Sequence, residues 1–109
     1  MKLLLNEDNN SLNIILDDVK EFCDIFNLEI VSFEYSDTDY DYYVATKACL
    51  NSPFGYNYYN PIFYIRISGG KIYMCEENEE NYMEIEDYKK YLIKDFENDG
   101  WVYENGFWT

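Results

Sequence analysis

Ile62-Phe63-Tyr64-Ile65-Arg66-Ile67-Ser68-Gly69-Gly70-Lys71-Ile72-Tyr73-Met74-Cys75-Glu76 is the stretch from which the fold can be read. Two alternating runs flank Gly69-Gly70, and a glycine pair between such runs makes a two-residue primed turn. Closing the turn there sets Ser68 opposite Lys71. Ile67 then pairs with Ile72 and Ile65 with Met74 on one face, while Arg66 meets Tyr73 and Tyr64 meets Cys75 on the other. The apolar pairs fall together on one side, as a sheet with one buried face requires, so the stretch predicts a β-hairpin over 62–76.

The rest follows outward from this hairpin. Upstream, residues 51–61 hold Pro53, Gly55, Pro61 and three asparagines among aromatics, which predicts an ordered loop without a regular element. Before it, residues 42–50 predict a strand and residues 36–41 a turn. Residues 29–35 alternate Val31, Phe33 and Tyr35 with Ile30, Ser32 and Glu34, a half-buried strand. Residues 11–27 predict an amphipathic helix with Leu12, Ile15, Leu16, Val19, Phe22, Cys23 and Phe26 on one face, capped by Asn10 or Ser11. Downstream, residues 84–98 predict a second helix. Glu84, Glu86 and Asp87 crowd its first turn, Lys89, Lys90 and Lys94 follow, Ile85, Tyr88, Leu92 and Phe96 make its stripe, and Gly100 stops it. Trp101-Val102-Tyr103 reads as a closing strand and Gly106-Phe107-Trp108 as a tail. The order α-β-β-β-β-α-β predicts a single α+β domain spanning 1–109, with an antiparallel sheet of about four to five strands and both helices against it.

Composition restricts function. The chain of 109 residues carries 22 acidic and 8 basic side chains, a formal net charge of −14, and no histidine. A protein that grips phosphates needs a basic face, which eight scattered cations do not build. Histidine, the commonest general base and metal ligand, is missing. The high charge does not make the chain disordered, because aromatics are 20% of it and isoleucine is abundant. Cys23, Cys49 and Cys75 are an odd set without a C-x-x-C pair, which argues against a disulfide framework or zinc site and for buried free thiols in a reducing compartment. Met1-Lys2-Leu3-Leu4-Leu5 is too short for a signal-peptide core and nothing approaches a membrane span, so the expected location is the cytoplasm of the cell that makes the protein.

No motif spells out a reaction. Asp37, Asp39 and Asp41 start in the rhythm of a calcium loop, but Tyr42 stands where glycine is required and Ala48 where a bidentate glutamate is required. Asp18-Val19-Lys20 and Asp87-Tyr88-Lys89 have the spacing of metal-dependent nuclease sites, yet both fall on predicted helices instead of strand ends. Paired carboxylates of the glycosidase kind need a deep cleft, which a domain this small rarely forms. There is no Gly-x-Ser-x-Gly and no phosphate loop. The expectation is a protein that is not an enzyme and uses no cofactor and no metal.

The distribution of acid says more. Glu76, Glu77, Glu79, Glu80, Glu84, Glu86 and Asp87 put seven carboxylates in twelve residues with no cation among them. Glu34, Asp37, Asp39 and Asp41 interleave with Tyr35, Tyr40, Tyr42 and Tyr43. Clustered like charge opposes compaction, so it implies a compensating gain, and the usual one is a basic partner. A domain of this length is roughly 34 Å across. Duplex DNA carries about 20 charges over that distance, the same order as this chain. Tyrosine suits such a contact: a large rigid ring, a polar tip and little entropy to lose. The candidate partner-binding residues are Glu34, Asp37, Asp39, Tyr40, Asp41, Tyr42, Glu76, Glu77, Glu79 and Glu80.

On these two runs, Glu34 to Asp41 and Glu76 to Asp87, the small acidic chain resembles the inhibitors that phages deploy against bacterial defence nucleases, the anti-CRISPR proteins and anti-restriction DNA mimics. The resemblance is one of composition across the chain and carries no shared motif. It implies a viral inhibitor that binds the nucleic-acid surface of a Cas nuclease such as Cas9 through protein–protein contact, without touching nucleic acid or membrane. Immunity proteins that neutralise basic nuclease toxins have the same character, and they are the alternative.

Overall fold

The computed structural model describes residues 9–36, 40–57, 60–77 and 81–109. Helix α1 spans Asn9–Ile25 and is followed by strands β1 (Leu28–Tyr35), β2 (Tyr42–Ala48), β3 (Ile62–Ser68), β4 (Lys71–Glu76) and β5 (Met83–Glu84). Helix α2 (Ile85–Asn98) and two short strands, β6 (Tyr103–Glu104) and β7 (Phe107–Trp108), complete the chain. Strands β1 to β5 form one antiparallel sheet in sequence order, and β6 and β7 form a separate ribbon. This is the α+β domain with two helices expected from the residue pattern, enlarged by β5 and β7.

The hairpin register is the predicted one, from Ser68 opposite Lys71 through Tyr64 opposite Cys75. Gly69 and Gly70 sit at φ 59° and 76°, the left-handed values that a primed turn demands. One face of the sheet therefore carries Phe63, Ile65, Ile72 and Met74, all buried, together with Phe33, Tyr42 and Val44 from β1 and β2. The helices cover this face. Helix α1 supplies Ile15, Leu16, Val19, Phe22 and Cys23, the three-and-four spacing that the sequence displays, and Phe26 continues the stripe past its end. The side chain of Leu12 lies outside the described residues. Helix α2 supplies Ile85, Tyr88 and Leu92, with Phe96 half-buried beside them.

Aromatic rings fill the space between. Phe26 touches Phe22 (4.9 Å between centroids), Phe54, Phe96 and Trp108. The end of α1 leaves carbonyls without helical partners. The Trp108 indole donates to the Ile25 carbonyl at 2.7 Å, and the Ser52 hydroxyl donates to that of Phe26 at 2.6 Å. Asn27, at φ 55°, ends the helix in the left-handed region and accepts the Cys49 N–H.

Several local expectations change. Asn10 and Ser11 lie inside helix α1 and do not stand at the capping position before it. Val31 is 52% exposed because a bulge between Ile30 and Ser32 inserts one residue and breaks the alternation. The loop at 51–61 contains a short 3-10 helix, Pro53–Asn57, which seats Phe54 in the core. Trp101-Val102-Tyr103 does not close the main sheet. Asn105 and Gly106, at φ 54° and 81°, make a primed turn that folds the C-terminus into its own hairpin. Cys23 and Cys75 are buried thiols, whereas Cys49 is exposed.

Candidate interaction surface

The face of the sheet that the helices leave open is where the two acidic runs approach each other. Register places Glu34 opposite Tyr43, Tyr43 opposite Tyr64 and Tyr64 opposite Cys75, a row across four strands. Tyr40 lies flat on Tyr64, with centroids 4.1 Å apart and planes at 10°. Tyr43 leans against Tyr64 at 6.1 Å. Glu77, just past β4, receives the Tyr64 hydroxyl at 3.4 Å through its Oε2, and its N–H donates to the Ile62 carbonyl. Loss of water and then the Glu77 carboxylate push the Tyr43 phenol above its usual pKa, with smaller contributions from Tyr40 and Glu34. Burial and Glu77 raise Tyr64 in the same way. Both rings therefore stay neutral hydroxyl donors at physiological pH.

One residue row further on, Arg66 stands opposite Tyr73. Its guanidinium lies over the Tyr82 ring, 4.5 Å from the centroid. Tyr82 also hydrogen-bonds the Cys75 side chain. Burial and Cys75 push its phenol up to about 12, against the pull of the Arg66 charge. The open face is thus a floor of tyrosines edged by Glu34 and Glu77, with one arginine already stacked on it.

Not every residue singled out from the sequence lies there. Glu34, Tyr40 and Glu77 do. Glu76 is half-buried and stands opposite Phe63, on the helix-covered side of the sheet. Tyr42 is 7% exposed and stacks on Phe33 at 5.2 Å, so it packs the core and offers no anchor to a partner. Asp41 is committed to the fold: its Oδ2 accepts the Ile67 N–H at 2.7 Å while its own N–H donates to the Ile65 carbonyl. Asp37, Asp39, Glu79 and Glu80 lie outside the described residues. Tyr43, Tyr64, Arg66 and Tyr82 were missing from the sequence selection. Alternation carried the signal for three of them, since Tyr43 must face away from Tyr42, and Tyr64 and Arg66 away from Ile65.

Two further constellations lie on the helical side. Lys89 is buried, and its Nζ meets Glu86 at 2.8 Å and Glu21 at 3.0 Å, tying α2 to α1. Desolvation opposes its charge, but the hydrogen bonds it donates to both carboxylates outweigh it and hold its pKa above the ordinary lysine value. Asp18 nearby is raised by burial and by repulsion from Glu21 and Glu86. Both D-x-K motifs sit on helices, as predicted, and the second gives its lysine to this ion pair. A cleft of about 360 Å³ opens between α1, the start of α2 and the hairpin tip. Ile15, Ile72 and Ile85 floor it, and Asp18, Glu86 and Lys71 rim it. Among the described residues, no thiol or hydroxyl lines it. Among the described residues, no three acidic or cysteine side chains converge as a metal site, and no helix is long and apolar enough to cross a membrane.

Comparison of the chain with protein-family models, with curated proteins and with solved structures finds no match.

Proposed function

We propose that this chain is a non-enzymatic inhibitor of the anti-CRISPR kind. It acts in the cytoplasm of a bacterial host and occupies the basic nucleic-acid-binding surface of a defence nuclease in place of DNA. The observation that carries the reading is the meeting of Glu34 and Glu77, one from each acidic run, on a single tyrosine-lined sheet face. Folding sets these two carboxylates, distant in sequence, on either side of the same pair of tyrosines, where no helix covers them. The net charge of −14 spreads over a body 43 Å long, and duplex DNA of that length carries about 25 charges. Both are repelled by acid and attracted by the same cationic channel.

The test is a DNA-cleavage assay with purified Cas nucleases, the chain added in stoichiometric steps. The expected result is titratable loss of cleavage for at least one effector, with labelled DNA displaced from it, and a loss of potency for Glu34→Lys/Glu77→Lys that is largest at low salt. Potency unchanged by that double reversal contradicts the proposal. Protection against a basic toxin nuclease, with no effect on any Cas effector, moves the function to the immunity-protein alternative.

A further inference from the structure

We infer that the open sheet face selects arginine over lysine in its partner. This rests on the proposed docking role of that face and adds the chemistry of the contact. A bare acidic patch attracts any cation. This face adds two things that a guanidinium uses better than an ammonium does. The first is planar π surface: Tyr40 and Tyr64 are parallel at 4.1 Å, and Tyr43 stands beside them. The second is a carboxylate held at the ring edge, Glu77 against the Tyr64 hydroxyl at 3.4 Å, with Glu34 on the far side of Tyr43. A guanidinium is flat and weakly hydrated. It stacks on a ring while its forked N–H groups reach a carboxylate, whereas lysine brings only a hydrated point charge.

The chain already contains one such contact. Its only arginine, Arg66, lies on this same face with its guanidinium 4.5 Å from the Tyr82 centroid. Lys89, a buried lysine, is held by the carboxylates of Glu21 and Glu86. Tyr43 and Tyr64 are half-buried, and the ring surface that Tyr40 leaves uncovered is what an incoming guanidinium would stack on, as Arg66 stacks on Tyr82. The occupant is therefore a protein surface that presents arginines, the residue type that lines nucleic-acid channels where phosphate is held bidentately.

The experiment uses the full chain and two fluorescent probes of equal charge, deca-arginine and deca-lysine, with binding read by anisotropy across a salt series. Deca-arginine is expected to bind about ten-fold more tightly. Tyr43→Leu/Tyr64→Leu is expected to bring deca-arginine down to the deca-lysine level. Tyr43→Phe/Tyr64→Phe keeps the rings and is expected to keep the preference. Glu34→Gln/Glu77→Gln is expected to weaken both probes. Equal affinity for the two probes overturns the inference, as does a preference that survives the leucine variant or vanishes in the phenylalanine one. Where the leucine variant does not fold, the wild-type and phenylalanine comparisons still decide. Binding of both probes that is indifferent to Glu34→Gln/Glu77→Gln, or binding of neither, overturns the docking role itself.

Discussion

Lys89 shows how a single side chain can escape a pattern reading. In the sequence it is one of three cations after an acidic first turn, a placement that suits the helix dipole. In the fold it is buried between Glu21 and Glu86 and joins two helices that are far apart in the chain. The spacing to Glu86 is a local signal, but nothing local marks the link to Glu21, which lies on the other helix. Lys89→Ala leaves the acidic groups facing one another and should cost about 1–3 kcal/mol in urea unfolding, below the usual cost of breaking a buried pair because both carboxylates are well exposed. Its pKa is raised in the fold, so its contribution is full below the ordinary lysine value and is lost as pH rises through the folded one. The stability gap between wild type and Lys89→Ala should thus be complete at neutral pH and shrink in strong alkali. Asp18 has the opposite sign. Burial and its acidic neighbours raise its pKa, so ionising it opposes folding, and acidification through the carboxyl range relieves the penalty. Asp18→Asn should raise the melting temperature at neutral pH, with the gain disappearing once acid has protonated the wild-type side chain.

At the scale of elements, what was legible is what local periodicity encodes. The β3–β4 hairpin was readable down to its pairs because Gly69-Gly70 fixes the turn and alternation fixes the face. Both helices were readable from their three-and-four spacing. Less legible were the features that break a period or depend on a distant neighbour. The bulge at Val31 interrupts the alternation of β1. Strand β5 is two residues long and exists because Met83 and Glu84 meet β4. The C-terminal hairpin did have a signal, Asn105-Gly106, but it joins strands of two residues each, held down by Trp108 reaching Ile25. The candidate surface was half legible. The acidic runs were visible, but Asp41 and Tyr42 serve the fold, while the tyrosines of the face are set by register. Gly69 and Gly70 are both left-handed with open space around them, so only backbone strain opposes a side chain there. Gly69→Ala and Gly70→Ala should each cost about 1–2 kcal/mol in chemical denaturation. A neutral result at both would mean that the turn is not the primed type.

For the molecule as a whole, the governing quantity is its charge. A body with a Cα radius of gyration of 13.8 Å that carries −14 repels itself. The melting temperature should therefore rise steadily as sodium chloride screens that repulsion from about 10 mM to 150 mM, where the Debye length falls from about 30 to 8 Å. The fold orders part of this charge. One side of the sheet is closed by helices, and the other presents tyrosine with Glu34 and Glu77 in one place. On the proposed function, this open face, and not the overall charge, meets the partner. The most direct measurement is the association rate with an inhibited nuclease as a function of salt, for wild type, Glu34→Lys/Glu77→Lys, and Asp95→Lys/Glu97→Lys, which changes net charge equally on exposed positions of α2. The first variant is expected to associate far more slowly than the second at low salt, with the gap closing as salt rises. Equal slowing by the two variants would mean that net charge alone governs binding and that the open face has no special role.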